Sequence, residues 1–259
     1  MKIGLALSGG GALGVAHIGA IEELERAGIK IDCVSGVSSG AIIGLAYAVG
    51  GLDALHKFYE GALTDIARRN RLIFAKGPDG VFKYISKALG ELCGVKKIEE
   101  LAIQFSCSAT NLATGESEAF FEGDPVASVM ASSAYPGVFA PQNLNGKWYI
   151  DGGATRNLPV EDARAMEADF IIGSSTYAVD VFDDKRAGKM NRIEVAARAL
   201  DIFEKELSRF REEQCDFCFK PCVDNYKWFD FFKMEEILEQ GRANAAKQIK
   251  DVILSLSRK

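Results

Sequence analysis

The sequence predicts an α/β fold in which a mostly parallel sheet is flanked by helices. Three observations lead there. Short apolar runs alternate with segments of helical periodicity along the chain. Two of the early runs pass through glycine-containing turns straight into helices, as strand–turn–helix units do. No internal repeat, low-complexity tract or linker breaks the pattern, so 1–259 reads as a single domain.

In chain order, Ile3 to Leu7 is the first strand. The turn that follows leads to a helix from Val15 to Ala27, with Ile18, Ile21 and Leu24 on one stripe and Gly28 as its stop. Ile31 to Ser35 is the second strand, followed by a small-residue helix, Ser39 to Val49, and an amphipathic helix, Asp53 to Arg69. The stretch 70–94 contains Gly77-Pro78-Asp79-Gly80, reads as the least regular part of the first half, and is assigned a lid or covering role. Ala102 to Ala109 and Ser117 to Phe121 are strands around a Thr114-Gly115 turn. Asp124-Pro125 opens a helix to Ala134, an N-cap followed by proline in the first turn. Lys147 to Ile150 and Asp169 to Ser174 are strands, and Arg192 to Arg211 is a long helix. Asp216 to Lys220 is the last strand, before a helix from Lys233 to Leu256.

Composition bounds the function. A net charge of −5 argues against a nucleic-acid partner, which calls for a basic face. The opening apolar run is broken by Ser8-Gly9-Gly10-Gly11, unlike a signal peptide. No apolar stretch approaches the roughly 20 residues of a membrane span. A cytoplasmic protein is expected, with room for peripheral contact with a membrane; oligomeric state is not legible. Cys215, Cys218 and Cys222 are spaced C-x2-C-x3-C. A four-ligand zinc site needs one more donor, and His17 and His56 are far away in sequence. No metal is expected, and Cys215 to Phe219 reads as a strand with small apolar side chains.

Chemistry enters with Gly36-Val37-Ser38-Ser39-Gly40. A serine between a strand and a helix projects its hydroxyl only from a tight, strained turn, and Gly36 and Gly40 leave room for one. The next helix aims its N-terminal N–H groups at the same place. Ser117, in Gly115-Glu116-Ser117-Glu118-Ala119, lacks the second glycine and is set aside. A serine hydroxyl needs a base, and no histidine follows His56. His17 and His56 read better as packing or surface residues. Asp151, ending a strand and followed by two glycines, is the economical base, placed at a strand's C-terminal edge where ligands of open α/β sheets bind. Gly9, Gly10, Gly11 and Ala12 offer bare N–H groups to a developing oxyanion. Gly9 to Gly14 also satisfies G-x-G-x-x-G, with Asp32 placed 18 residues later (32 − 14) as a ribose partner. A dinucleotide-binding protein is therefore the rival, although such a protein has no need of the Ser38 turn.

Three ordered blocks, Gly9 to Gly14, Gly36 to Gly40 and Asp151 to Gly153, resemble the patatin-like phospholipase family, in particular its compact bacterial members. Ala131 to Phe139 is similar to the family's block ahead of its aspartate. Asn157-Leu158-Pro159-Val160 continues the aspartate block, and Gly241 in the last helix also has a counterpart. The resemblance implies a three-layer α/β/α sandwich and a Ser38–Asp151 dyad. It further implies an oxyanion hole from the turn at Gly9, acyl lipids or related esters as substrates, and no cofactor. Leu13 stands where the family usually has arginine or lysine, and Arg156 is the nearest replacement in sequence. That departure leaves a second reading, a regulatory or lipid-binding protein with weak or no catalysis. The aromatic stretch Tyr226 to Phe232 is expected mostly in the core, the alternative being a lipid-contacting patch.

Overall fold

Ile3–Leu7 (β1) has all five residues buried, as a strand covered on both faces requires. Its side chains divide between two layers. Ile3, Leu5 and Leu7 join the larger core, whereas Ala6 joins a smaller cluster with Leu158, Val160 and Ala163. Large residues on one face and small ones on the other fit a thick helical layer opposite a thin one. In the computed structural model, residues 1–67, 77–176 and 183–259 are described.

Cys33–Gly36 (β2), Gln104–Asn111 (β3), Ser117–Phe120 (β4), Gln142–Leu144 (β5), Lys147–Ile150 (β6), Phe170–Ser174 (β7) and Phe217–Phe219 (β8) complete the sheet. The strand order is β5-β6-β3-β2-β1-β7-β8, with β4 also paired to β3. From β3 to β8 the pairs are parallel; β4, β5 and β6 form an antiparallel extension.

The thick layer holds Ala16–Arg26 (α1), Ser39–Phe58 (α2), Pro78–Cys93 (α3), Pro125–Ser132 (α4) and, beyond the thin layer in sequence, Met234–Leu256. Gly153–Arg156 (α5) and Val160–Ala165 (α6) follow β6, and α6 covers the other face. Asp184–Ala187 (α7) and Arg192–Glu212 (α8) precede β8, which makes Met234–Leu256 α9. The mixed α/β architecture is the one predicted.

The differences are local and have physical reasons. The two helices expected over Ser39 to Arg69 are present, separated by non-helical backbone at Gly50 and at Gly51, whose φ is 69°; the second runs to Phe58, and residues 68 and 69 lie outside the described residues. A π-helical turn, Tyr59–Leu63, follows. Of the stretch 70–94, residues 70–76 lie outside the described residues. The remainder is not irregular: Gly77 and Pro78 start α3, with proline in the first turn where its missing N–H is not needed. Val81, Ile85 and Leu89 of α3 are buried in the core. The Asp124 N-cap forms as expected, accepting from the Ala127 N–H at 2.9 Å. Strand β5 and the short helices α5 to α7 escape sequence reading because they are too short to show a period.

Candidate active site

The ends of β1 and β2 lie side by side, Leu7 opposite Gly36, and each enters one of the two glycine-containing turns. Ser38, between β2 and α2, adopts φ 53° and ψ −123°, a strained backbone for a residue with a Cβ. Its surroundings hold it there. The Ser38 N–H donates to Ser132 Oγ at 3.0 Å, and Ser132 Oγ donates onward to the Ser108 carbonyl at 2.6 Å. A Cβ on Gly36 would lie 2.5 Å from the Gly40 carbonyl oxygen, and one on Gly40 would lie 2.4 Å from that of Leu7. Only glycine lets these three backbones approach so closely.

Asp151 arrives from the opposite direction. β3 continues past the end of β2, where Gly36 faces Cys107, and β6 pairs antiparallel with that overhang, Ile150 facing Thr110. The chain leaving Ile150 therefore heads back toward Ser38. The carboxylate reaches the carboxyl edge of the parallel strands on a returning strand, not on the tip of a parallel one. Asp151 is 2% exposed. Its Oδ1 accepts the Gly153 N–H at 2.8 Å, while Oδ2 has no partner among the described residues. The Ser38 hydroxyl faces the carboxyl and favours its ionised form without completing a hydrogen bond to Oδ2, as is common in unliganded acid–base pairs. Burial pushes the Asp151 carboxyl up to about 6, against the lowering effect of the Gly153 N–H and the Ser38 hydroxyl.

The glycine turn narrows the expected donor set. Gly9 N–H is shared between the carbonyl oxygen of Asn157 at 3.2 Å and its Oδ1 at 3.1 Å. Ala12 N–H donates to the Trp228 carbonyl at 2.7 Å. Gly10 (φ 157°) and Gly11 (φ 59°) keep N–H groups with no acceptor among the described residues, as does Ser39 at the start of α2. Sequence reasoning missed Ser39, although the residue after such a serine is a usual donor. It also gave no role to Ser132, which braces the turn, or to Asn157, whose Nδ2 donates to Ser208 of α8 at 2.9 Å.

Ser38, Asp151 and Gly9 to Ala12 line a cavity of about 670 Å³. Its walls are apolar, formed by residues such as Ile43, Ile66, Val81, Ile85 and Met130. Phe82 and Phe139, with ring centroids 4.7 Å apart, stand in the same wall. Near the Ser38–Asp151 pair, Ser39 Oγ and Ser133 Oγ are buried without partners among the described residues and line the cavity. Buried polar atoms without partners are uncommon, and here three of them, with Asp151 Oδ2, share one cavity.

Other candidates fall elsewhere. Leu13 is buried and adds to the apolar lining. Arg156 does not replace a cation there: it is bound to the buried Asp162 carboxylate and is absent from the lining. Arg186, Lys189 and Arg198 are the basic side chains on the wall formed by α7, α8 and the turn between them. His17 is fully buried, its Nε2 donating to the Ser8 carbonyl at 2.9 Å and its Nδ1 2.8 Å from Ser174 Oγ. Burial lowers it to about 4, so it is neutral and ties the glycine turn to β7. His56 pairs with Glu22, which also binds Arg242 across the crossing of α1 and α9. Among the described residues no three His, Cys, Asp or Glu side chains converge as metal ligands. Asp32 precedes β2 and accepts the Ile3 N–H at 2.9 Å, at the opposite end of the strands from the glycine turn. A ribose-binding acid belongs at the carboxyl end, so the dinucleotide reading loses its second element. The aromatic stretch is not mostly core: Tyr226 and Phe231 are half-buried and pack against the main core, Trp228 is half-buried, Phe229 and Phe232 are exposed, and most of the stretch rims the cavity.

The family model described as patatin-like phospholipase matches residues 5–164, more than half of the 259-residue chain. The chain is 29% identical over 272 aligned residues to lysophospholipase nte1 of Aspergillus niger, covering 93% of this chain and 18% of that protein. It is 35% identical over 176 residues to an uncharacterised NTE family protein of Mycobacterium tuberculosis, covering 67% of this chain and 49% of that one. The chain thus spans about half of one relative and under a fifth of the other. Among solved structures, VipD from Legionella pneumophila superposes with a TM-score of 0.52 at 16% identity, covering 96% of this chain and 67% of that one, which shows the shared fold.

Proposed function

The chain belongs to the patatin-like phospholipase family, and we propose that it is a serine acyl hydrolase cleaving carboxylic esters of acyl lipids through Ser38 and Asp151. One observation carries the reading. A strained serine sits beside a buried carboxylate with an unpartnered oxygen, at the polar end of an otherwise apolar cavity. The sheet supplies the serine, the returning strand supplies the base, and the glycine turn supplies backbone donors.

In the reaction, Ser38 Oγ attacks the ester carbonyl carbon and its proton passes to Asp151 Oδ2. The resulting oxyanion faces the N–H groups of Gly10 and Gly11, each such donor being worth about 3 kcal/mol to the transition state. Collapse breaks the bond to the leaving alcohol, which takes the proton from Asp151, and the acyl group stays on Ser38. Water then gives a proton to Asp151 and attacks the acyl-enzyme. The fatty acid departs as Ser38 Oγ recovers the proton. A base near pH 6 is ionised at neutral pH and yet more basic than an ordinary aspartate, which suits proton transfer from a hydroxyl.

The apolar walls point to long acyl chains. Turnover of p-nitrophenyl esters should therefore improve with chain length, kcat/KM rising about tenfold or more from acetyl to octanoyl, since each buried methylene contributes ~0.8 kcal/mol. A flat or falling series would remove the cavity from the substrate site. A non-catalytic lipid-binding protein predicts that acyl chains bind with no turnover depending on Ser38.

A further inference from the structure

Helix α8 carries its apolar residues on the outside. Ile193, Ala196, Leu200, Phe203, Leu207 and Phe210 follow one another at alternating three- and four-residue steps, so they share one face. Ile193 is 81% exposed, Phe203 62% and Phe210 66%. Meanwhile the buried residues of this helix are the polar Glu204 and Ser208, and Glu194, Arg198 and Asp201 line the cavity. A contiguous apolar face of this kind marks an interaction surface.

The features around it specify the partner. The inner side of the same helix walls the cavity, so whatever covers the outer side lies next to the opening. Across that opening Phe229 is half exposed and also lines the cavity, and Tyr135 touches both sides, bonding Asp201 at 3.2 Å and stacking near Trp228. Tyr135 thus bridges the cavity side of α8 to the aromatic rim that carries Phe229. Along the exposed length of α8 Arg192 and Lys205 are exposed cations, while Arg209 is paired with Glu206 at 2.9 Å. Apolar side chains flanked by cations, on a helix in the plane of the surface, match an anionic lipid interface.

We infer that the outer face of α8, together with Phe229, seats on a lipid surface carrying anionic headgroups, from which an acyl chain enters the cavity. This rests on the acyl-lipid reading of the site, and the test separates the two. Ser38→Ala protein, which binds without turning over, is sedimented with vesicles of phosphatidylcholine and phosphatidylglycerol, alone and with Phe203→Glu and Phe210→Glu added. The added pair is expected to weaken vesicle partition about tenfold or more. In the Ser38 background, the same pair should leave hydrolysis of a soluble short-chain ester and the thermal midpoint unchanged, since both positions are exposed. Vesicle binding equal to the parent's, or no binding by the parent, overturns the inference. So does a parent that is a dimer by light scattering, is split by the pair and ignores vesicles, because the face would then be a self-association surface. Vesicle binding that depends on Phe203 and Phe210 with no ester turnover upholds the docking surface and refutes the hydrolase.

Discussion

Replacing Ser38 by alanine is expected to lower kcat for an acyl ester by about four to six orders of magnitude, the loss typical of a removed nucleophile. KM should change little, because the apolar walls and the Gly10 and Gly11 N–H groups remain. The fold should survive as well. The Ser38 N–H bond to Ser132 Oγ is a backbone contact and does not need the hydroxyl. An alanine at φ 53° is strained to a similar degree as serine, so the thermal midpoint should stay within a few degrees. Turnover near the wild-type rate would remove Ser38 from the chemistry.

Asp151→Asn should be nearly as damaging, since the amide cannot take the Ser38 proton. A loss of about 10⁴-fold in kcat is the scale for removing a carboxylate that acts with a serine. Wild-type kcat/KM should follow the ionised form of Asp151. It should fall about tenfold per unit as the pH drops below about 6, where the buried carboxyl takes up a proton, and level off above. A profile breaking near pH 4, as for a solvated aspartate, would contradict the buried base. Stability runs the other way. Because the folded pKa is raised, protonation favours the native state fully below about 3.8, and that stability is lost as the pH rises through about 6. A charged Asp151 therefore costs on the order of 2–3 kcal/mol at pH 8. The asparagine variant should melt higher than wild type at pH 8 and not at pH 4, measured by calorimetry.

Much of this was legible in the residues, for reasons that differ along the chain. β1, β2 and β7 are buried on both faces and carry apolar or small side chains throughout, so the parallel half of the sheet announces itself. Asp151 is singled out in the sequence by its glycines and the lack of a late histidine. The way it reaches Ser38 is not, because that depends on β3 overhanging β2 and on β6 pairing with the overhang, a register that no local pattern encodes. The glycine turn leaves fewer free N–H groups than its sequence offers for a similar reason: Gly9 and Ala12 donate theirs to Asn157 and Trp228, partners about 150 and 216 residues away in sequence (157 − 9 and 228 − 12). Arg156 looked available only by proximity along the chain, and its guanidinium is held by Asp162. Helix α8 was located correctly, but its inverted polarity shows only against the cavity that it walls.

The pairing of Ser38 with Asp151 is tested most directly by the mass of the intact protein after exposure to a long-chain alkyl fluorophosphonate, followed by mapping of the modified peptide. The structure predicts a single adduct on Ser38 in the wild type, a much slower one in Asp151→Asn and none in Ser38→Ala. Labelling of Ser38→Ala at the wild-type rate, or an adduct mapped to another serine, would contradict it.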